Sequence, residues 1–324
     1  MHRTLRWAGL LAMLSFVATS LPGATSAATA PSTPASVAAA PLPIVPPVPP
    51  LDNPSFFDDA PPAQSRRLVL DGAQLIAIYG HPGVPIMGLL GKHDPEGAAR
   101  EAKRLAAEWD DANGPEMGAV GALHLITYVA QPTPMADGSY LARMTAEEIA
   151  PYLNAARRHG LLLILDIQIG MGDPLAETQR LVRFLREPDV HLALDPEFAM
   201  HAVGGRPGQR IGSLDATDVN RVQQYLAGLV EREGLPPKVL LLHQFMASML
   251  TGTEWYEDLP EVARVIDMDG WGNEEVKLAH YAMYSLASYA QRPAIKLFYE
   301  WDEPVLTQER LLALPVVPEV VIYQ

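Results

Sequence analysis

Polar residues, most of them acidic, recur in pairs two positions apart where short apolar runs end in this sequence. Side chains two apart in an extended strand point to the same side. Burying several carboxylates together is costly unless they are paired, hydrated or bound to a metal. The spacing therefore predicts a polar cluster suited to acid–base chemistry, built from four pairs: Asp166 and Gln168, Asp195 and Glu197, Asp267 and Asp269, and Glu300 and Asp302.

Imidazole, amide and aromatic side chains follow the same runs. Aromatic faces beside carboxylates and amides suit a sugar, whose apolar ring faces stack while its hydroxyls form hydrogen bonds. An Asp before a turn also commonly caps the next loop, and an aromatic residue there can belong to the core. The recurrence across six strands favours a binding site, whose predicted members beyond the pairs are Tyr79, His81, Tyr128, His243, Gln244, Trp271, Trp301 and Tyr323.

Eight apolar runs must position these residues. They are rich in Leu, Ile and Val nearly throughout, which is typical of parallel strands covered on both faces. Amphipathic stretches between them predict helices over 95–109, 145–159, 173–186, 215–233, 273–289 and 307–314. The runs are 75–79, 122–129, 161–167, 190–194, 239–242, 262–268, 294–299 and 320–323.

This count and order predict an α/β fold, a (β/α)8 TIM barrel whose eighth strand ends the chain. The alternative is an open doubly wound sheet. Such a sheet more naturally carries a glycine-rich phosphate loop after its first strand, and the segment from Gly80 to Gly83 is not one. In a barrel, the polar residues that end the runs would meet at the C-terminal mouth.

The first 62 residues have a different composition from the barrel. Residues 1–30 combine a basic start, an apolar stretch and small residues, which predicts a secretory signal peptide; an uncleaved membrane anchor is the alternative. Residues 31–62 are rich in Pro and Ala and predict a disordered linker. The barrel domain is therefore expected over 63–324, in a secreted or extracytoplasmic protein with no membrane insertion after signal cleavage.

Charge and cysteine content exclude several classes of function. The 324-residue chain has no cysteine, which removes thiol catalysis and Cys-ligated zinc. Its formal net charge is −14, and loss of the two signal-peptide arginines makes it about −16. This charge argues against nucleic acid and anionic membranes as partners.

Two of the carboxylates lie where a known group of enzymes has its catalytic residues. Leu-Asp-Pro-Glu197 and Phe-Tyr-Glu300 resemble the ends of the fourth and seventh strands in retaining TIM-barrel glycoside hydrolases, although Pro196 replaces the usual Asn. Asp195-Pro-Glu197 also resembles the end of the family 18 chitinase motif. More broadly, Leu-Asp-Ile-Gln168, Ala-Leu-Asp-Pro-Glu197, His243-Gln-Phe and Met-Asp-Gly270 resemble an uncharacterised family of exported, actinobacterial-type (β/α)8 barrels.

The resemblance implies an extracytoplasmic glycoside hydrolase acting on a carbohydrate or another small polar substrate. Glu197 would be the general acid/base and Glu300 the nucleophile or base, while Asp195 and Asp166 would tune their pKa values. No cofactor is required by this hypothesis.

Two alternatives stay open. One is a hydrolase or isomerase dependent on a divalent metal. The other is a non-catalytic surface barrel that binds carbohydrate. The oxygen and imidazole ligands available for a metal are His81, Asp166, Asp195, Glu197, His243, Asp267 and Asp269.

Overall fold

Eight parallel strands close into a barrel in the computed structural model, which describes residues 67–324. The strands are β1 (Ala73–Gly80), β2 (Gly118–Ala130), β3 (Leu141–Arg143), β4 (Leu162–Gln168), β5 (Val190–Asp195), β6 (Leu214–Asp215), β7 (Lys238–Gln244), β8 (Leu250–Thr251), β9 (Val262–Met268), β10 (Arg292–Leu297) and β11 (Val320–Tyr323). Going round the barrel, the strand order is β1, β11, β10, β9, β7, β5, β4 and β2, and β2 pairs with β1 to close it. The predicted TIM barrel is confirmed, and its last strand is β11.

Helices lie between the barrel strands, and several have side-chain caps at their N-termini. The Thr145 hydroxyl and the Glu148 carboxylate form the predicted capping box, which satisfies two backbone N–H groups. Asp94, Asp173, Asp215 and Asn273 cap other helices in the same way. The helices are α1 (Pro95–Asn113), α2 (Ala146–Arg158), α3 (Pro174–Arg180), α4 (Val182–Leu185), α5 (Ala216–Glu233), α6 (Glu274–His280) and α7 (Gln308–Leu312).

Two predicted helices differ from the observed ones. The helix expected over 173–186 is two short helices that meet at Leu181, whose φ of −92° and ψ of 7° interrupt the α-helical geometry. The helix expected over 273–289 changes to a π-helical turn at Tyr281–Ser285. There the Ser285 hydroxyl lies 2.8 and 2.7 Å from the carbonyl oxygens of Ile266 and Ala294, which anchors the turn to β9 and β10.

The alternation of side chains along each strand separates the helix-facing core from the barrel interior. On β10, Ile295 and Leu297 belong to the large apolar core that includes residues of the surrounding helices, whereas Lys296 points the other way. On β9, Ile266 and Met268 belong to the same core, and Asp267 between them does not. Strand periodicity therefore places polar side chains inside the barrel without disturbing the outer core.

Strand β3 was not predicted from the sequence, and the predicted N-terminal segments lie outside the residues that the structure describes. The three residues of β3 pair antiparallel with the end of β2, an addition that the apolar runs do not predict. The predicted signal peptide and linker lie outside the described residues, as do residues 63–66 of the predicted domain. Within residues 67–324, no helix is long and apolar enough to cross a membrane.

Candidate active site at the barrel mouth

His243 is the centre of a buried polar cluster near the C-terminal end of the barrel. Its Nε2 atom lies 2.8 Å from Asp166 Oδ2, and its Nδ1 atom lies 2.9 Å from Asp267 Oδ2 and 3.3 Å from Asp269 Oδ2. Burial and Lys296 lower the pKa of His243, but the adjacent carboxylates outweigh them and raise it well above its ordinary value. The ring therefore joins β7 to carboxylates on β4, on β9 and just beyond β9.

Asp166 accepts a second imidazole on the same oxygen. The Nε2 atom of His124, on β2, lies 2.8 Å from Asp166 Oδ2, and the Thr127 hydroxyl donates to the Asp166 carbonyl at 2.7 Å. Burial alone would raise the pKa of Asp166, but His243 and His124 outweigh it and hold the pKa below its ordinary range. All three side chains of this group are inaccessible to solvent.

Lys296 is the second cation of the cluster. Its Nζ atom lies 2.7 Å from Asp269 Oδ1 and 3.8 Å from the centre of the Tyr79 ring. Burial would lower its pKa, but Asp269 and the neighbouring carboxylates outweigh this effect and raise it. Lys296 is therefore a fixed positive charge between Asp269 and an aromatic face.

Asp195 and Glu197 lie at the end of β5 with raised pKa values. The Asp195 carboxylate accepts the backbone N–H of Glu197 at 2.9 Å, which caps the short 3-10 turn that carries Glu197. Burial, helped by the charges of Asp166 and Asp269, raises the pKa of Asp195 to about 7. Burial and the charges of Asp195 and Asp269 raise the pKa of Glu197 well above its ordinary value. Both shifts favour the protonated form of these two carboxyl groups.

A loop packed on β1 fixes Tyr79. Gly88 has φ of 131°, and a Cβ atom there would lie 2.3 Å from the Tyr79 carbonyl oxygen. Only glycine allows this approach. The Tyr79 ring then meets His124 edge-on with ring centres 4.9 Å apart, and burial raises its pKa well above its ordinary value.

The structure brings together six residues that the sequence nominated. These residues contact one another or shift one another's pKa values: Tyr79, Asp166, Asp195, Glu197, His243 and Asp269. Asp267 joins them through His243.

Glu300 and Asp302, which follow β10, have other partners. Glu300 is exposed and lies 3.2 Å from Lys92 in an ion pair. Asp302 is buried, pairs with Lys277 at 2.9 Å and accepts the backbone N–H groups of Gly272 and Phe298. The carboxylate of Asp302 therefore joins the loops after β9 and β10.

The remaining nominated residues mostly bond to the protein itself. Gln168 accepts the backbone N–H of Ala130, and Gln244 accepts the Tyr289 hydroxyl. The Nδ1 atom of His81 lies 2.8 Å from the carbonyl oxygen of Ile126. Two nominated tyrosines also have protein contacts: Tyr128 lies under Arg143, and Tyr323 accepts the Trp109 indole N–H.

Three aromatic side chains after β9 and β10 reach solvent. Trp271 is 43 % exposed and Tyr299 is 42 % exposed, while Trp301 is half-buried and packs near Phe298 with ring centres 5.6 Å apart. Exposed aromatic faces in the loops after β9 and β10 are available for stacking with a ligand.

Sequence reasoning missed His124 and Lys296, two central residues of the cluster. Each is the lone imidazole or ammonium in an otherwise apolar strand, as in Ala-Leu-His124-Leu-Ile and Ala-Ile-Lys296-Leu-Phe. A charged residue inside such a run must be paired, because burying it alone is costly. A lone polar residue within each of these strands is therefore a signal for both positions, which lie inside the strands and not at their ends.

Two groups of side chains bring potential metal-ligand atoms within 4.8 Å of one another. The first is His124, Asp166 and His243, and the second is His243, Asp267 and Asp269. His243 belongs to both groups. The second group already contacts the Lys296 ammonium, which is 2.7 Å from Asp269 and 3.5 Å from His243 Nδ1.

Comparison with known proteins finds neither a matching protein-family model nor a matching curated protein. The fold and the cluster define the structural class of this protein. It is a TIM-barrel protein with acidic, imidazole and ammonium groups gathered at its mouth.

Proposed function

We propose that this protein is an extracytoplasmic hydrolase of the glycosidase type, with Glu197 as its general acid. The observation that carries this proposal is the environment of Glu197, a half-buried carboxyl beside Asp195 and Asp269 whose pKa is raised well above its ordinary value. A carboxylic acid whose pKa is raised holds its proton more tightly than an ordinary carboxyl group and can donate it to the oxygen of a leaving sugar.

A glycosidase also needs an ionised carboxylate to act as nucleophile or base. Asp269 fits this role better than Glu300, because Lys296 holds it ionised within the same cluster as Glu197. Glu300 is exposed and bound to Lys92. In this proposal Asp269 is the second carboxylate, and Asp195 keeps the Glu197 pKa high.

The substrate class follows from the side chains around the cluster. Carboxylates would accept hydrogen bonds from sugar hydroxyls, and the exposed faces of Trp271 and Trp301 would stack on sugar rings. A neutral or cationic carbohydrate suits a chain with a formal net charge of −14. The resemblance to exported barrels and the predicted signal peptide support an extracytoplasmic location.

The test is release of reducing ends from a panel of cell-wall and plant polysaccharides. Glu197→Gln keeps the size of the side chain but has no acidic proton, and loss of a general acid lowers turnover by roughly 10²- to 10⁴-fold. Glu231→Gln, on the exposed face of α5, is the matched control and should keep full turnover.

Two further variants test whether Asp269 or Glu300 acts as the nucleophile or base. Asp269→Asn should abolish turnover, whereas Glu300→Gln should leave at least half of it. The reverse result would return the nucleophile role to Glu300. Saturable glycan binding with no turnover by the wild-type chain would refute catalysis and favour a carbohydrate-binding barrel.

A further inference from the structure

His124, Asp166 and His243 form a compact three-ligand group inside the barrel. The Nε2 atoms of both histidines face one carboxylate oxygen, Asp166 Oδ2, each at 2.8 Å. The two imidazole rings are stacked with centres 5.4 Å apart and an angle of 30° between their planes. Two imidazoles and one carboxylate on separate strands of a rigid barrel leave the other coordination positions of an ion open.

His243 and Asp166 also have supporting contacts of the kind found around metal ligands. A histidine that binds a metal through one nitrogen almost always donates its other ring N–H to a carboxylate or carbonyl. The Nδ1 atom of His243 lies 2.9 Å from Asp267 Oδ2, which fixes the ring with Nε2 directed at the group. Thr127 holds the backbone of Asp166 through a 2.7 Å hydrogen bond.

Unpartnered atoms at the same place are the independent indication of a ligand. Asp166 Oδ1, Asp267 Oδ1 and His124 Nδ1 are buried without a hydrogen-bond partner among the described residues. Buried polar atoms normally have partners, and leaving a carboxylate oxygen without one is costly. A bound cation and its water molecules would supply partners for the two carboxylate oxygens. With Nε2 bound to the ion, His124 Nδ1 would carry the ring proton and act as a donor.

We propose that His124, Asp166 and His243 bind one divalent transition-metal ion. Two imidazole nitrogens and one carboxylate favour Zn²⁺, Co²⁺ or a similar ion over Mg²⁺ and Ca²⁺, which prefer oxygen ligands. The ion binds the Nε2 lone pairs, and any proton on those nitrogens passes to solvent. The group of His243, Asp267 and Asp269 is not the site, because the Lys296 ammonium already neutralises its Asp269 carboxylate.

This inference goes beyond the proposed glycosidase activity and does not depend on it. Glu197 is not one of the three ligands. Ion binding without polysaccharide cleavage would support the metal site and refute the proposed glycosidase activity. Polysaccharide cleavage without ion binding would support the glycosidase activity and refute the metal site.

The test is titration of the untagged, metal-stripped full chain with Zn²⁺ or Co²⁺ alone. Calorimetry should give one bound ion per chain, and Co²⁺ should produce visible absorption bands of a site with nitrogen and oxygen ligands. Less than 0.2 equivalents bound, or a Co²⁺ spectrum identical to that of the aqueous ion, would overturn the proposal even if every variant failed to fold.

Variants then locate the ion. Asp166→Asn and His243→Asn should each weaken binding at least 100-fold. Asp267→Asn, which removes only the partner of His243, should weaken it by about 10- to 100-fold. His201→Asn is the matched control, since His201 also pairs with one Asp, Asp218 at 2.8 Å, outside the cluster. Equal affinity in all four variants would mean binding elsewhere and would overturn the assignment.

Discussion

The two ends of the barrel bury charged side chains in opposite ways. At the N-terminal end, Lys238 begins β7 and donates to the carbonyl oxygens of Glu187 and Val190 at 2.6 and 2.8 Å. Asp189 accepts Arg157 on both of its carboxylate oxygens, at 2.7 and 2.8 Å. Backbone carbonyls and carboxylates therefore supply hydrogen-bond partners for the buried cations at this end.

At the mouth, charged side chains depend mainly on one another. Asp166, His243 and Asp267 form a chain of contacts, and both carboxylates of that chain keep one oxygen without a partner among residues 67–324. Burial raises the pKa values of Asp195 and Glu197, and the charges of neighbouring carboxylates add to this effect. Burial alone therefore does not identify a site. Partly satisfied groups with mutually shifted pKa values make the mouth the candidate functional end.

The largest expected effect on stability comes from the N-terminal end. Asp189→Asn removes the buried carboxylate that accepts two N–H groups of the Arg157 guanidinium, which keeps Glu187 at 2.6 Å as a carboxylate partner. Removing one partner of a buried ion pair costs up to about 3–5 kcal/mol. Urea unfolding measures this loss in the free energy of unfolding. Asp71→Asn, which breaks the exposed pair with Arg292, should cost less than about 1 kcal/mol. Equal costs in the two variants would contradict the comparison.

The mouth should make the protein less stable as the pH rises from about 4 to 7. Asp195 has a pKa of about 7 in the folded protein against an ordinary value of 3.8, so the folded state keeps a proton that the unfolded state releases. One such group gives a slope of at most about 1.4 kcal/mol per pH unit. The slope should diminish in Asp195→Asn, measured by urea unfolding at several pH values. An unchanged slope would show that Asp195 is not the group responsible.

The N-terminal end should have the opposite dependence at higher pH. Burial lowers the pKa of Lys238 from 10.5 to about 7, so between these pH values the unfolded state binds more protons than the folded state. Stability from this group therefore rises with pH over that window. Lys238→Met should flatten the rise, whereas Lys92→Met, at an exposed position, should preserve it. A steep rise that survives in Lys238→Met would contradict the shift.

The smallest expected effect is on substrate affinity at the rim of the mouth. Trp271→Ala removes a half-exposed aromatic face, and such a contact is worth about 0.5–1.5 kcal/mol. KM should rise roughly 2- to 10-fold with kcat within two-fold of the wild type. Trp255→Ala, an exposed Trp whose carbonyl accepts Asn220 on α5, should leave KM unchanged. A large fall in kcat would instead place Trp271 at the reacting atoms.

Much of the architecture could be predicted from the sequence because it follows from local patterns. Eight apolar runs gave the eight barrel strands in order, and the Thr145 to Glu148 spacing gave a capping box that the structure contains. The split helix at Leu181 and the π-helical turn before Leu286 could not be predicted, because they depend on contacts such as that of Ser285 with β9 and β10.

Prediction of the candidate site was partial. The two-residue period of a strand led to the expectation that Asp195 and Glu197, and Asp267 and Asp269, gather at the mouth. They do, although Glu197 lies on a 3-10 turn after β5 and Asp269 just beyond β9. The cause of the raised pKa of Glu197 could not be predicted, because it depends on burial and on the positions of Asp195 and Asp269 in space. His124 and Lys296 were missed because they lie within strands rather than at their ends.

The sequence by itself determined the barrel, its polar mouth and its lack of cysteine, since composition and short-range periodicity specify these features. The tertiary structure alone decided which polar groups meet. It joined His124, Asp166 and His243 from three strands, and it paired Glu300 with Lys92 at the surface. The physical reason is that ion pairing, burial and pKa shifts depend on distances between residues far apart in the chain, which no local pattern encodes.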